Sequence, residues 1–141
     1  MSKSQLIYVV DDEPAIRDIL ESVLSDEGYP AITCQNSEVF YDQLEKQTPD
    51  LVLLDIWLPG TDGMAILGTL RETHPDLPVI MMSGHAGIDA AVNAIKKGAV
   101  DFMEKPLQLE ILLDKIAVVL SNKLPEKKKD LASDTQMEVA K

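Results

Sequence analysis

Two kinds of apolar pattern alternate along this chain, and their alternation restricts the fold more than any single residue does. LIYVV (6–10), AITC (31–34), LVLL (51–54), PVIMM (78–82) and AVDFM (99–103) are short, nearly continuous apolar runs, the kind that fill strands buried on both faces. Between them, apolar residues recur at helical spacing. Ile16, Ile19, Leu20, Val23 and Leu24 share one helical face, with Pro14 suited to the first turn and Gly28 to the stop. A second helix is expected over about 37–46, with Phe40 and Leu44 inward, and a third over about 64–73, ahead of Pro75. The fourth should cover about 88–97, with Ile88, Val92 and Ile95 inward and Gly98 as its stop. The fifth should cover 107–122, turning Leu109, Leu112, Ile116, Val119 and Leu120 toward the core. Five strands alternating with five helices make a (βα)5 unit, and right-handed crossovers favour a parallel sheet with helices on both faces.

A chain of 141 residues is close to the size of one domain and long enough to bury a core, which its composition makes aliphatic: 45% hydrophobic residues but only 4% aromatic. No apolar run approaches the roughly 18 residues of a membrane span, and MSKSQ at the N-terminus lacks the apolar stretch of a signal peptide. The expected location is therefore cytoplasmic, with no membrane contact. Cys34 is the only cysteine, so no intrachain disulfide forms, and a small buried hydrophobe is its expected role. A net charge of −11 argues against direct nucleic-acid binding, because phosphate backbones attract basic surfaces. The charge is unevenly placed. Residues 1–121 hold 8 Lys or Arg against 20 Asp or Glu, whereas residues 122–141 hold 5 against 4. One domain over 5–121, followed by a linker or disordered tail over 122–141, is the expected organisation.

In an open parallel sheet, ligand chemistry gathers beyond the carboxyl ends of the strands, where strand order reverses. Asp55 stands at such an end, directly after LVLL, where an unpartnered carboxylate would be costly. Asp11 and Asp12 follow LIYVV, Ser83 follows PVIMM, and Lys105 follows the fifth strand closely. Three carboxylates on one rim repel one another and raise each other's pKa unless a cation joins them. Oxygen ligands without Cys or His favour a hard ion, Mg2+ above all, with Mn2+ able to replace it. With Lys105 as a movable positive charge and Ser83 as a hydroxyl donor, the rim suits a phosphoryl group, and Asp55 is the natural nucleophile to carry it.

These residues resemble the receiver domain of bacterial two-component response regulators. The resemblance covers residues 5 to about 121 and rests on VVDDE after the first strand, LLDIWLPGTDG after the third, MMSGH after the fourth and DFMEKP at the fifth, in that order. SGHAGIDAAVNAIKKGAVDFMEKP looks most like the nitrogen-regulation (sigma-54 activator) type, which commonly precedes an ATPase that activates transcription. The family fold is flavodoxin-like, a three-layer α/β/α sheet of strand order 2-1-3-4-5. The resemblance implies that Asp55 is phosphorylated, and that Mg2+ is held by Asp12, Asp55 and the carbonyl of Trp57, with Asp11 acting mainly through water. It implies that Ser83 binds a phosphoryl oxygen, that Lys105 pairs with the acyl phosphate, and that Phe102 turns inward on activation. Pro106 matches a proline whose preceding peptide bond is usually cis. The implied partner is a sensor histidine kinase or phosphotransfer protein, with a homodimer favoured by phosphorylation and an output domain absent from this chain.

Other readings start from the same residues. Singly, Asp11 could cap a helix, Ser83 could serve a turn, Phe102 could be core and Lys105 a solvated surface lysine; no one of these accounts for the set. An FMN binder shares the architecture, but its first loop would be rich in Ser, Thr and Gly, whereas DDEPA repels phosphate. An aspartate-nucleophile phosphohydrolase needs a second Asp two residues after the first, where this chain has Trp57. A stand-alone regulator or phosphate shuttle, acting by protein contact, is the alternative to a detached input domain. The resemblance implies that Trp57 and His85 border the phosphoryl group, and the bulk of Trp57 is then expected to slow the attacking water. His74 is expected at the surface. The switch surface is expected on the fourth helix, fifth strand and fifth helix, presenting Asp89, Asn93, Lys96, Lys97 and Asp101.

Overall fold

A computed structural model describes residues 5–84 and 87–122. The tail expected beyond Asn122 and the position of His85 lie outside the described residues. The elements run β1 (Ile7–Val10), α1 (Pro14–Asp26), β2 (Ala31–Cys34), α2 (Ser37–Lys46), β3 (Leu51–Asp55), β4 (Trp57–Leu58), β5 (Thr61–Asp62), α3 (Gly63–Thr73), β6 (Val79–Ser83), α4 (Ile88–Lys96), β7 (Asp101–Glu104) and α5 (Leu109–Asn122). Five strands form one parallel sheet in the order β2-β1-β3-β6-β7. Counted by themselves these five have the expected order 2-1-3-4-5. Strands β4 and β5 were not anticipated: they pair antiparallel as a small hairpin immediately after Asp55.

The alternation inside each buried run divides its side chains between two cores. Tyr8 and Val10, Val52 and Leu54, and Val79 and Met81 face α2 and α3, where Phe40, Ile66, Leu67 and Leu70 meet them. Ile7 and Val9, Leu51 and Leu53, and Ile80 and Met82 face Leu20 and Leu24 of α1 and Leu112, Ile116 and Leu120 of α5. Continuous apolar strands are thus the consequence of helices on both sheet faces. The Tyr8 ring meets Phe40 edge-on at 6.1 Å, and its hydroxyl reaches the carbonyls of Gln43 and Gln47 at the end of α2, at 3.0 and 2.5 Å. Cys34 is buried, which pushes its thiol up to about 11 and leaves it unreactive.

Local signals account for most helix ends. Pro14 opens α1, Asn36 caps α2 by accepting from the Val39 N–H at 2.9 Å, and Asp62 caps α3 by accepting from Met64 N–H at 2.8 Å. Arg71 of α3 donates to the carbonyls of His74, Leu77 and Gly98, stitching two chain turns together. Gly98 has φ +110, and a Cβ there would stand 2.5 Å from Arg71 Cδ, so this stop suits only glycine.

Helix α4 lies the other way up from the expectation. Ile88, Val92 and Ile95 are 81%, 44% and 48% exposed, while Ala94 is fully buried and Ala90 and Ala91 are half-buried. The segment carries two apolar stripes of the same period, and periodicity cannot rank them. The alanine stripe permits close approach to the sheet, and the larger aliphatics then face outward. In α1, Ile19 is likewise 46% exposed at the margin of the apolar face. Among the described residues, no helix is long and apolar enough to cross a membrane.

Candidate functional site

Strand register, not loop shape, assembles the acidic rim. Val10 pairs with Leu54 across β1 and β3, which sets Asp11 beside Asp55 at the two strand ends. Asp55 pairs with Met82 across β3 and β6, which sets Ser83 one step beyond. Ser83 pairs with Glu104 across β6 and β7, and Lys105 N–H donates to the Ser83 carbonyl at 2.8 Å. Residues far apart in sequence therefore share the carboxyl edge at the centre of the sheet, where strand order reverses between β1 and β3.

Carboxylate oxygens of Asp11, Asp12 and Asp55 lie within 4.8 Å of one another. Asp11 is 0% and Asp55 3% exposed, whereas Asp12 is open to solvent. Lys105 Nζ lies 2.8 Å from Asp11 Oδ2, an ion pair whose angle falls short of a directed hydrogen bond. The same ammonium lies 3.4 Å from Glu13 Oε1 and 3.5 Å from Asp55 Oδ2. One cation thus faces three acids, and burial plus the Asp11 charge push the Asp55 carboxyl up to about 6, against the pull of Lys105 and the Trp57 backbone N–H. Burial opposes the Lys105 ammonium, but its acidic neighbours win and raise its pKa. Hard oxygen donors this close, with no sulfur or imidazole grouped with them among the described residues, fit Mg2+.

The raised Asp55 carboxyl predicts a pH-dependent instability in metal-free protein. A folded-state pKa of about 6 against the ordinary 3.8 gives stability that is present below the lower value and lost as pH rises through the upper one. Metal-free Asp55→Asn is therefore expected to exceed the wild type by roughly 2–3 kcal/mol above about pH 6, with the gain vanishing toward about pH 4. Urea unfolding across that range measures it. Equal stability at neutral pH would contradict the strained carboxylate.

Supporting residues hold this edge in place, and several were invisible to pattern reading. Arg17 Nη1 donates to the Asp11 carbonyl at 2.8 Å, Asp11 Oδ1 accepts from Glu13 N–H at 2.9 Å, and Asp11 N–H donates to the Cys34 carbonyl at 3.0 Å. Asp11 is thus fixed as a loop residue; the helix cap is Glu13, which makes no side-chain cap bond. Gly63 N–H donates to the Ile56 carbonyl at 2.6 Å, and a Cβ on Gly63 would stand 2.1 Å from the Asp55 carbonyl oxygen. The β4–β5 hairpin therefore closes tightly under Asp55. It carries Trp57, whose side chain is 58% exposed. Ser83 is fully buried. Phe102 is half-buried against the core shared with α3 and α4. His74 is half-buried at the end of α3, its Nδ1 2.8 Å from Thr73 Oγ1. The Lys105–Pro106 bond is cis.

Residues 7–117 match the model of the response regulator receiver domain family. The nitrogen assimilation regulatory protein NtrX of Azorhizobium caulinodans is 43% identical over 109 residues, which cover 76% of this chain and 24% of that protein. The chain spans about a quarter of the length of the curated relatives it matches. Among solved structures, the receiver domain of NtrX from Brucella abortus superposes with a TM-score of 0.78 at 43% identity, covering 82% of this chain and 98% of that one. The beryllofluoride-activated NtrC4 receiver domain dimer superposes at 0.79 with 35% identity, over 82% of this chain and 96% of that one.

Proposed function

Since the chain belongs to the response regulator receiver domain family, we propose that Asp55 accepts a phosphoryl group from a histidine kinase or phosphotransfer protein in a Mg2+-dependent reaction. The observation that carries this reading is a buried nucleophile, Asp55 at 3% exposure, within 3.5 Å of Lys105 and beside two further acids. An Asp55 carboxylate oxygen attacks phosphorus, the bond to the donor breaks, and an acyl phosphate forms. Asp12, Asp55 and the Trp57 carbonyl would hold Mg2+, which when bound neutralises the carboxylates and the phosphoryl oxygens. Asp11 already engages both its oxygens, with Glu13 N–H and Lys105, which supports its acting through water. The chain works in the cytoplasm as a switch, and slow hydrolysis of the acyl phosphate resets it.

The acyl phosphate carries about −1.5 to −2 where the Asp55 carboxylate carried −1, and Lys105 and Ser83 answer the added charge. Lys105 leaves Asp11 and Glu13 for the phosphoryl oxygens, Ser83 donates its hydroxyl, and Phe102 moves further inward from its half-buried place. The altered face comprises α4, β7 and α5. Its outward stripe of Ile88, Val92 and Ile95 supplies apolar area for a phosphorylation-favoured homodimer; the beryllofluoride-activated NtrC4 receiver domain is a dimer. The regulated process is transcription, through an output domain outside this chain.

Amide NMR with beryllofluoride, an acyl-phosphate mimic, tests the relay. Wild-type protein should shift at Asp55 and across residues 87–105. Lys105→Ala should shift near Asp55 but several-fold less over α4 and β7, because it lacks the group that reads the new charge. Full propagation in that variant, or no wild-type change beyond the rim, would end this account of the switch.

A further inference from the structure

Of the acids around Lys105, Glu13 is the one that phosphoryl transfer leaves without a task. Among the described residues, the carboxylates that converge closely enough for a cation are those of Asp11, Asp12 and Asp55, and Glu13 is not grouped with them. Its side chain is 59% exposed. It stands at the N-cap of α1, where a side-chain oxygen ordinarily accepts from the first turn of the helix, yet it makes no such bond. The carboxylate turns to the rim instead: Glu13 Oε1 accepts a hydrogen bond from Lys105 Nζ at 3.4 Å.

Both partners of this contact are anchored through their backbones. Glu13 N–H donates to Asp11 Oδ1 at 2.9 Å, and the Glu13 carbonyl accepts from Arg17 N–H at 3.1 Å. Lys105 N–H donates to the Ser83 carbonyl at 2.8 Å. The Lys105 stem runs past Gly84, where a Cβ would stand 3.8 Å from Lys105 Cβ and Cδ. With both backbones held, side-chain rotation makes or breaks the pair. Asp11 and Asp55 also hold the ammonium, at 2.8 and 3.5 Å, but both belong to the cation cluster and cannot be changed without disturbing it. Glu13 can. A contact present only while Lys105 stays among the acids favours that state over one in which the lysine has moved.

We infer that Glu13 is a positioning residue that restrains Lys105, drawing its ammonium away from a phosphoryl group on Asp55 and so setting how readily the switch is thrown. The inference rests on the phosphoacceptor reading of Asp55. Glu13 acts through Lys105 and touches neither the phosphoryl group nor the metal. Because an exposed ion pair contributes little, the restraint adjusts the switch and does not lock it.

Beryllofluoride titration of the full chain at saturating Mg2+, followed by the amide resonances around Asp55, tests the restraint. Glu13→Gln keeps the size and removes the charge, and it should reach half-saturation at roughly two- to fivefold lower beryllofluoride, the range of an exposed ion pair. Glu13→Asp keeps the charge but draws it back by one methylene. It should follow Glu13→Gln, whereas a long-range effect of charge would leave it at the wild-type value. In a Lys105→Ala background, Glu13→Gln should change nothing further. Equal half-saturation in the wild type and Glu13→Gln would overturn the restraint while leaving Asp55 as the acceptor. So would a wild-type value for Glu13→Asp, or an effect of Glu13→Gln that persists without Lys105. No wild-type binding at Asp55 would instead remove the acceptor reading, and this inference with it.

Discussion

Asp55→Asn is expected to take up no phosphoryl group from a phosphoramidate while staying folded. The amide keeps the size of the carboxyl and its place beside Met82, but it has no anionic oxygen to attack phosphorus. The other acids cannot replace it. Asp11 is buried with both oxygens engaged, and Asp12 is exposed, without the buried surroundings of Asp55. The expected effect is complete loss of uptake, not a slower rate, and it is separable from stability because the same change relieves repulsion in the metal-free protein. Uptake at unchanged stoichiometry in a folded Asp55→Asn variant would move the acceptor elsewhere.

The second large effect concerns metal. A ligand that binds only the folded state stabilises it by RT ln(1 + [L]/Kd), about 2.7 kcal/mol at about 100 Kd. On the proposed assignment, Mg2+ should raise wild-type stability by that order, because its charge offsets the mutual repulsion of Asp11, Asp12 and Asp55. Asp12 is the solvent-facing member of the three, so Asp12→Ala removes a proposed ligand without opening a cavity. That variant should fold without metal and show no Mg2+-dependent rise in melting temperature. A melting shift equal to the wild type's would exclude a site shared by the three acids.

The sequence carried the fold and the composition of the rim because both depend on short-range signals. Buried runs of four or five apolar residues locate the strands, and polar residues directly after them, Asp11, Asp55 and Ser83, mark the carboxyl edge. What escaped depends on choices that periodicity does not make. In α4 the stripes of Ile88, Val92 and Ile95 and of Ala90, Ala91 and Ala94 have the same period, and close approach to β7 decided between them. The β4–β5 hairpin is built from two-residue strands, too short to show any alternation. Arg17 reaches back six residues to a backbone carbonyl, and Glu13 meets Lys105 across 92 residues. Such contacts follow from three-dimensional placement. A long cation on the first helix after a paired Asp could have suggested Arg17; nothing local could have suggested Glu13.

The central claim is that Asp55 carries the phosphoryl group, and mass spectrometry of the phosphoramidate-treated chain addresses it most directly. With Mg2+ present, the chain should gain the mass of a single phosphoryl group, located after proteolysis to the peptide containing Asp55, and a chelator should abolish the gain. A modified peptide that lacks Asp55, or equal modification with and without Mg2+, would contradict the account.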